Sequence, residues 1–260
     1  MTILAAKDIG ISFGGIKAID GVSFAVSPGE ILSIIGPNGA GKTTLFNIVS
    51  GVYECDQGRV ELSGEDVTSL APDKLAARGM SRTFQNLQIF QRMTAAENVM
   101  VGRHLRERCN LFADLFRLPS VTRQNAETRE AALAFLDEVG LRQHADTVAG
   151  SLSYGACKRL EIARALAAEP RVLLLDEPAA GCNPVETEEI DELIRRVAEK
   201  GIAVVLVEHD MKLVMKISNH ILVLNRGKPI AEGKPRDVRD NPAVLEAYLG
   251  KHGAKEAARA

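Results

Sequence analysis

Residues 36–44 read Gly36-Pro37-Asn38-Gly39-Ala40-Gly41-Lys42-Thr43-Thr44, and this stretch constrains the fold more than any other. It fits the pattern G-x-x-x-x-G-K-[ST], which requires a strand before the loop and a helix after it. The apolar run Ile31–Ile35 predicts the strand, and Leu45–Val49 predicts the start of the helix. The sequence therefore predicts a strand–loop–helix unit that binds phosphate.

The residue types of this loop explain how it would hold a nucleoside triphosphate. Glycines let the backbone curl so that successive N–H groups point at phosphate oxygens, and the helix N-terminus adds partial positive charge. Lys42 would reach the β- and γ-phosphates, and the Thr43 hydroxyl would ligate Mg²⁺. The alternative is a glycine-rich turn with a chance lysine, which the flanking strand and helix disfavour.

A carboxylate pair ends the most apolar strand of the sequence. Val172–Leu175 is a continuous apolar run, and Asp176 and Glu177 follow it directly. Ligands of parallel α/β sheets bind at the carboxyl ends of the strands. We expect Asp176 to hold Mg²⁺ and Glu177 to polarise the water that attacks a γ-phosphate. A solvated acidic turn is the alternative interpretation.

Two further polar residues carry a weaker signal. The Gln85 amide can contact both Mg²⁺ and a water molecule, although a surface glutamine is the default interpretation. His209 follows the apolar strand predicted at 202–207, where a neutral imidazole can contact a γ-phosphate. A histidine at that place can equally be a polar cap.

The order of predicted elements indicates an α/β fold with an inserted helical part. Strands are predicted at Ile9–Phe13, Val22–Val26, Gly58–Gly64, Ile221–Leu224 and Pro229–Ala231, and helices at Pro72–Arg78, Ala126–Val139, Val185–Lys200 and Met211–Ile217. Thr94-Ala95-Ala96-Glu97 has the pattern of a capping box that begins a helix. The apolar piece Asn110–Ser120 is read as a helix packed on the helical part, or as a surface for a membrane partner.

Composition excludes several classes of protein. The net charge of -2 gives no general attraction to nucleic acid or to an anionic membrane. Cys55, Cys109, Cys157 and Cys182 are scattered, which favours reduced thiols over a disulfide framework or a zinc site. The first residues lack a signal-peptide pattern, and no apolar run reaches the ~20 residues of a membrane span. We expect a cytosolic protein that reaches a membrane through a partner.

Leu152-Ser153-Tyr154-Gly155 stands shortly before Glu161–Leu166 and upstream of the Asp176-Glu177 strand. This arrangement resembles the signature motif and following helix of the ATP-binding cassette (ABC) ATPases, and the resemblance extends from Phe13 to about Leu249. It implies a P-loop NTPase (RecA-like) core with an antiparallel β subdomain and an inserted α-helical subdomain. The implied organisation is one domain over 1–250, with core at 1–93 and 160–250, a helical subdomain at 94–159 and a flexible tail at 251–260.

The resemblance also implies roles for individual residues. Phe13, which can equally be a core aromatic, would stack on adenine. Gln85 would lie in the loop that links the nucleotide site to the helical subdomain, and His209 would be the switch histidine. Ser153 and Gly155 would face the γ-phosphate held by a second cassette, in a head-to-tail dimer. Ala156 departs from the family pattern, which has glutamine there.

Four other stretches narrow the resemblance to LivG-type subunits, the ATPases of branched-chain amino acid importers. They are residues 13–18, 176–181, 208–215 and 241–250. This implies partnership with two membrane-spanning permease subunits, a second cassette (heterodimer or homodimer) and, indirectly, a solute-binding protein, at the cytoplasmic face of the membrane and without nucleic acid. The alternatives are an importer of urea, short amides or other small polar solutes, or a soluble cassette that acts on ribosomes or DNA.

Overall fold

The computed structural model describes residues 1–106 and 119–248. Residues 110–118 of the predicted apolar helix and the predicted tail at 251–260 lie outside them. The chain forms two compact units, which are described separately. The first comprises Met1–Arg82, Arg171–Glu177 and the chain from Ile194 onward; the second comprises Thr83–Pro170 and Pro178–Leu193. The domain limits drawn from the sequence resemblance stay a prediction.

The first unit contains two sheets. Their strands are β1 (Leu4–Phe13), β2 (Ile16–Val26), β3 (Ile31–Ile35), β4 (Gln57–Leu62), β5 (Glu65–Asp66), β6 (Met80–Arg82), β7 (Val172–Asp176), β8 (Ala203–Val207), β9 (His220–Asn225) and β10 (Lys228–Gly233). One sheet is antiparallel with the order β2-β1-β4-β5. The other has the order β10-β9-β3-β8-β7-β6, in which β10 alone is antiparallel to its neighbour.

Three apolar strands form the centre of the larger sheet. Every residue of β3, β7 and β8 is buried, as expected of parallel strands covered on both faces. The α/β fold class with an additional antiparallel sheet, predicted from the sequence, is confirmed. The first strand begins at Leu4 and not at the predicted Ile9, because Leu4 pairs with both Val26 and Leu62 in the middle of the antiparallel sheet.

The described α-helices with complete bounds are numbered α1 to α8. They are α1 (Lys42–Val49), α2 (Pro72–Ala77), α3 (Ala95–Gly102), α4 (Pro119–Glu138), α5 (Tyr154–Leu166), α6 (Pro184–Glu199), α7 (Met211–Ile217) and α8 (Pro235–Arg239), and residues 242–248 are also helical. The second unit contains α3, α4, α5 and the first part of α6. Within the described ranges, no helix is both long enough and apolar enough to cross a membrane.

The predicted capping box at the start of α3 is confirmed. Thr94 Oγ1 accepts from the Glu97 backbone N–H at 3.2 Å, and the Glu97 carboxylate accepts from the Thr94 backbone N–H at 2.7 Å. Both partners satisfy amide groups that the first turn of a helix leaves without an intrahelical acceptor. The box therefore fixes the point at which the chain enters α3.

Replacement of the cap should lower stability by a predictable amount. We expect Thr94→Ala to reduce the free energy of unfolding by about 1 kcal/mol, because the N3 amide loses its acceptor. Thr122→Ala is the matched control, since Thr122 is an exposed residue within α4 and alanine is the better helix former there. Urea denaturation of both variants measures the difference, and equal stabilities would contradict the prediction.

Candidate nucleotide-binding site

The glycine-rich loop joins β3 to α1 at the edge of the larger sheet. Gly36 follows the last residue of β3, and Gly41 precedes α1 in a left-handed conformation with φ of 101°. Inside the loop the Ala40 N–H donates to the Pro37 carbonyl at 3.1 Å. The predicted strand–loop–helix unit is therefore present, and α1 begins at Lys42, earlier than the sequence predicted.

Two glycines allow the loop to lie directly against neighbouring strands. A Cβ on Gly36 would lie 2.2 Å from the Leu224 carbonyl oxygen of β9. A Cβ on Gly41 would lie 2.7 Å from Ile19 and 2.8 Å from the Ala18 carbonyl oxygen, both in β2. Gly39, in contrast, has no atom within 4 Å of such a Cβ. The loop is thus a backbone cradle, and side chains at 36 or 41 would displace it.

Lys42 lies folded across this cradle. Its ammonium donates to the Gly36 carbonyl at 2.6 Å and to the Pro37 carbonyl at 3.2 Å, and the residue is 9% exposed. Burial lowers the pKa of Lys42, and the nearby charges of Glu177 and Asp176 act against that shift. The loop carbonyls hold a cation at the place where the motif expects phosphate charge.

The strand order brings the other predicted residues of the first unit to the same edge. Because β3, β8 and β7 are adjacent and parallel, the residues that follow them meet at their carboxyl ends. Asp176 ends β7 and is 2% exposed. Glu177 comes next with a φ of 49°, and its N–H donates to the Val207 carbonyl of β8 at 2.9 Å. A positive φ at a non-glycine residue is strained, and such strain concentrates at functional positions.

His209 lies beside Glu177 at this edge. The imidazole Nδ1 is 3.9 Å from the Glu177 carboxylate and 3.7 Å from that of Glu208. Glu208 is 1% exposed and accepts from the His209 backbone N–H at 3.1 Å, whereas the His209 side chain is 62% exposed. The arrangement places one carboxylate and one imidazole side by side, both open to a ligand.

Sequence reasoning missed Arg82, which holds the Asp176 carboxylate. Its guanidinium donates to Asp176 at 3.2 Å, to Asn47 at 2.7 Å and to Ser50 at 2.6 Å. The same group lies 5.0 Å above the Phe46 ring. Arg82 therefore ties the carboxylate to α1, and a lone arginine in a short strand gave no signal of this in the sequence.

Tyr248 is a second residue that the sequence did not single out. It ends the described helical stretch 242–248. Burial raises the pKa of the Tyr248 phenol, and the nearby Gly36 backbone N–H acts in the opposite direction. The C-terminal part of the chain thus reaches the first residue of the loop.

Phe13 lies at the end of β1 with an exposed ring. The side chain is 48% exposed and meets Tyr53 edge to face, with 5.6 Å between ring centroids. The ring is therefore not a core residue, and a face of it is open to stacking. Aromatic rings pack in offset-stacked or edge-to-face pairs, so the exposed part of the Phe13 ring can receive a planar ring.

The signature residues lie in the second unit. Ser153 is the N-cap of α5, and its hydroxyl accepts from the Ala156 backbone N–H at 3.2 Å. A Cβ on Gly155 would lie 2.3 Å from the Glu186 carboxyl carbon. Ala156, at the position of the family glutamine, is 6% exposed. Ser153 and Gly155 therefore begin a helix whose N-terminal dipole favours an anion. Gln85 belongs to the same unit.

Comparison with protein families gives two matches. Residues 19–180 match the family described as ABC transporter, and residues 228–254 match the family described as branched-chain amino acid ATP-binding cassette transporter. The first match spans more than half of the chain and includes the loop, the signature and the Asp176-Glu177 pair.

Curated relatives match along almost the whole chain. A high-affinity branched-chain amino acid transport ATP-binding protein (BraF) of Pseudomonas aeruginosa is 47% identical over 250 residues, which cover 96% of this chain and 98% of the relative. The protein of the same description (LivG) from Escherichia coli K12 is 43% identical with the same coverage.

Solved structures agree with this likeness. The ADP conformation of an ATP-binding cassette of an ABC transporter superposes with a TM-score of 0.84 and 35% identity, covering 96% of this chain and all of that chain. A dimeric cassette in a post-hydrolysis state, bound to ADP and phosphate, superposes with a TM-score of 0.75 and 28% identity, covering 90% and 99%.

The cradle geometry predicts different outcomes at two glycines of the loop. Gly36→Ala should lower the free energy of unfolding by about 3 kcal/mol and abolish nucleotide binding, because its methyl group would collide with backbone that cannot move. Gly39→Ala should cost only about 1 kcal/mol, from left-handed backbone strain. Thermal denaturation and titration with a fluorescent ATP analogue test both. Equal effects of the two substitutions would contradict this close approach of the loop to β9.

Proposed function

This chain belongs to the ABC transporter family of ATP-binding cassettes and is an ATPase, and from that premise we propose that it powers the import of branched-chain amino acids. The observation that carries the substrate class is the match of residues 228–254 to the branched-chain amino acid cassette family. Relatives at 47% and 43% identity with that stated activity support it. Urea, short amides and other small polar solutes are the alternative cargoes.

The loop residues Gly36, Pro37, Asn38, Gly39, Ala40, Gly41, Lys42, Thr43 and Thr44 would bind the phosphates of ATP. Backbone N–H groups of the cradle and the N-terminus of α1 would receive the phosphate oxygens. The Lys42 ammonium would exchange its two carbonyl acceptors for the more negative phosphate oxygens, since charge-assisted hydrogen bonds are the stronger ones. Phe13 would stack its exposed ring on adenine.

The oxygen donors at the sheet edge fit Mg²⁺. Thr43 offers an exposed hydroxyl, and Asp176 offers a carboxylate already oriented by Arg82. Gln85, which belongs to the second unit, would add an amide oxygen. Magnesium prefers one or two such protein ligands together with phosphate oxygens and water. When bound, the ion would neutralise charge on the β- and γ-phosphates.

Glu177 is the proposed general base. Its carboxylate would accept a proton from the attacking water, and the strained backbone at Glu177 fixes the direction in which the side chain leaves β7. His209 would contact the γ-phosphate. Because its imidazole also lies beside Glu177, it would hold the base and the phosphate at a fixed separation. Gln85 would orient the same water.

A second cassette would complete the site. Ser153 and Gly155 at the N-terminus of α5 would face the γ-phosphate bound by that partner, so that ATP joins the two cassettes and hydrolysis releases them. Closure and release of the cassette dimer would drive two membrane-spanning permease subunits. An extracytoplasmic solute-binding protein would deliver the solute to those subunits. We place this cassette at the cytoplasmic face of the membrane. The dimeric cassette structure supports the pairing.

Two substitutions separate binding from chemistry. Lys42→Ala should abolish both ATP binding and hydrolysis. Glu177→Gln should keep the affinity for an ATP analogue while hydrolysis falls by at least about 100-fold, because the base is lost. Glu130→Gln, an exposed glutamate of α4, is the control and should behave as the parent. Normal hydrolysis by Glu177→Gln would show that another residue is the base.

Purification from the native host tests the transport assignment. The tagged protein should copurify with two multi-spanning subunits and a second cassette, and deletion should abolish uptake of radiolabelled leucine. The parent gene should restore uptake and Lys42→Ala should not. The same partners with leucine uptake intact would move the cargo to urea or amides. Ribosomal or DNA partners without a membrane subunit would overturn the transport function.

A further inference from the structure

Two charged side chains within α5 are buried without a role in the nucleotide chemistry above. Lys158 and Glu161 are each 2% exposed, and they lie one helical turn apart on the same face. Burial of a charge is costly unless it is paired and hydrogen-bonded. Burial raises the pKa of Glu161, and the charge of Lys158 acts in the opposite direction. Such a pair must be held by specific partners.

Those partners are backbone groups of the segment 84–88, which carries Gln85. The Glu161 carboxylate accepts from the Gln88 N–H at 3.2 Å and is also hydrogen-bonded to the Phe84 N–H. The Lys158 ammonium donates to the Gln85 carbonyl at 3.5 Å. The two side chains therefore bind both the N–H donors and a carbonyl acceptor of the backbone around Gln85.

The pair is also linked to the start of α5. The Lys158 ammonium lies 5.8 Å from the centroid of the Tyr154 ring, a cation–π contact with the first residue of the helix. Tyr154 stands between Ser153 and Gly155, so the contact begins within the signature itself. An unbroken helical turn separates Tyr154 from Lys158, and its backbone hydrogen bonds make that turn rigid.

The far end of the segment is anchored by different residues. Asn98 of α3 accepts from the Phe90 N–H at 2.8 Å and donates to the Phe90 carbonyl at 3.0 Å. Arg164 lies 5.6 Å from the centroid of the Phe90 ring. Loss of the pair would therefore release the backbone at Gln85 while Phe90 stays in place, which separates a positioning effect from unfolding.

We propose that Lys158 and Glu161 are positioning residues that fix the Gln85 backbone to the signature helix. This inference rests on the proposed function, because that function gives Gln85 and the signature their roles. When Ser153 and Gly155 engage the nucleotide of the partner cassette, the start of α5 shifts. Lys158 and Glu161 transmit this shift to Gln85, which orients water at this chain's own nucleotide. The pair thus couples the two ATP sites of a cassette dimer without touching either nucleotide.

The test compares two neutral replacements of Glu161. Glu161→Gln keeps an oxygen that accepts from the Gln88 N–H, whereas Glu161→Leu removes the acceptor at similar volume. In the complex with its partner subunits, we expect Glu161→Leu to lower kcat by about tenfold, the factor for one lost hydrogen bond to a charged group. KM for ATP should change less than about twofold. Glu161→Gln should restore most of the rate.

A fluorescent reporter measures the position of the segment directly. The chain has no tryptophan, and the Phe84 side chain is 46% exposed, so Phe84→Trp gives a single probe beside Gln85. Mg-ATP should change its emission in the otherwise parental protein and with Glu161→Gln, and this response should be lost with Glu161→Leu. Glu189→Gln is the control, since the Glu189 side chain is 45% exposed and makes an ion pair at 3.3 Å with Arg159, which lies in the same helix as Glu161.

The outcomes are distinguishable from failure of the proposed function. Binding of a fluorescent ATP analogue by the parental chain tests that function, and its absence would overturn it independently of α5. An unchanged kcat and an unchanged emission response with Glu161→Leu would overturn the positioning role. If Glu161→Leu fails to fold by circular dichroism, the double variant Lys158→Met with Glu161→Leu removes both charges together, and the same two readouts decide.

Discussion

The close contact between the glycine-rich loop and its neighbouring strands is the constraint on which the candidate site depends. Gly36 lies against the Leu224 carbonyl of β9, and Gly41 lies against Ala18 of β2. The Gly227 N–H, from the turn after β9, donates to the Ala40 carbonyl at 2.9 Å. Interiors are packed so tightly that one methyl group at such a contact must displace backbone. The loop can therefore present its N–H groups outward only while both contacts persist.

Parallel pairing of β3, β8 and β7 then determines what faces the loop. Each strand delivers its following residues to one edge, so the loop, His209 and the Asp176-Glu177 pair meet there although they are far apart in sequence. Arg82 stabilises this edge, because an arginine with several donors can bind a carboxylate, Asn47 of α1 and Ser50 at the end of that helix at once. The lysine, the arginine and the buried aspartate are mutually compensating charges in a poorly solvated place.

The second unit uses buried charge for a different purpose. Lys158 and Glu161 are hydrogen-bonded to backbone groups of the segment 84–88. Buried backbone groups of an irregular segment require such donors and acceptors, because no regular helix or strand supplies them. The helix that begins at Ser153 therefore has a second structural role besides the one proposed for its N-terminus. It carries, one turn further along, the contacts that hold the segment containing Gln85.

The sequence by itself determined the loop, the central strands and the capping box at Thr94, because each depends on residues adjacent in the chain and on apolar periodicity. It also placed Asp176 and Glu177 at a strand end. The sequence could not reveal the contacts of Arg82 with Asp176, of Tyr248 with Gly36, or of Glu161 with Gln88. Only the tertiary structure decided these, since each joins side chains and backbone from distant segments and leaves no local pattern. A charged residue reads as surface in any sequence until packing shows which backbone groups it must satisfy.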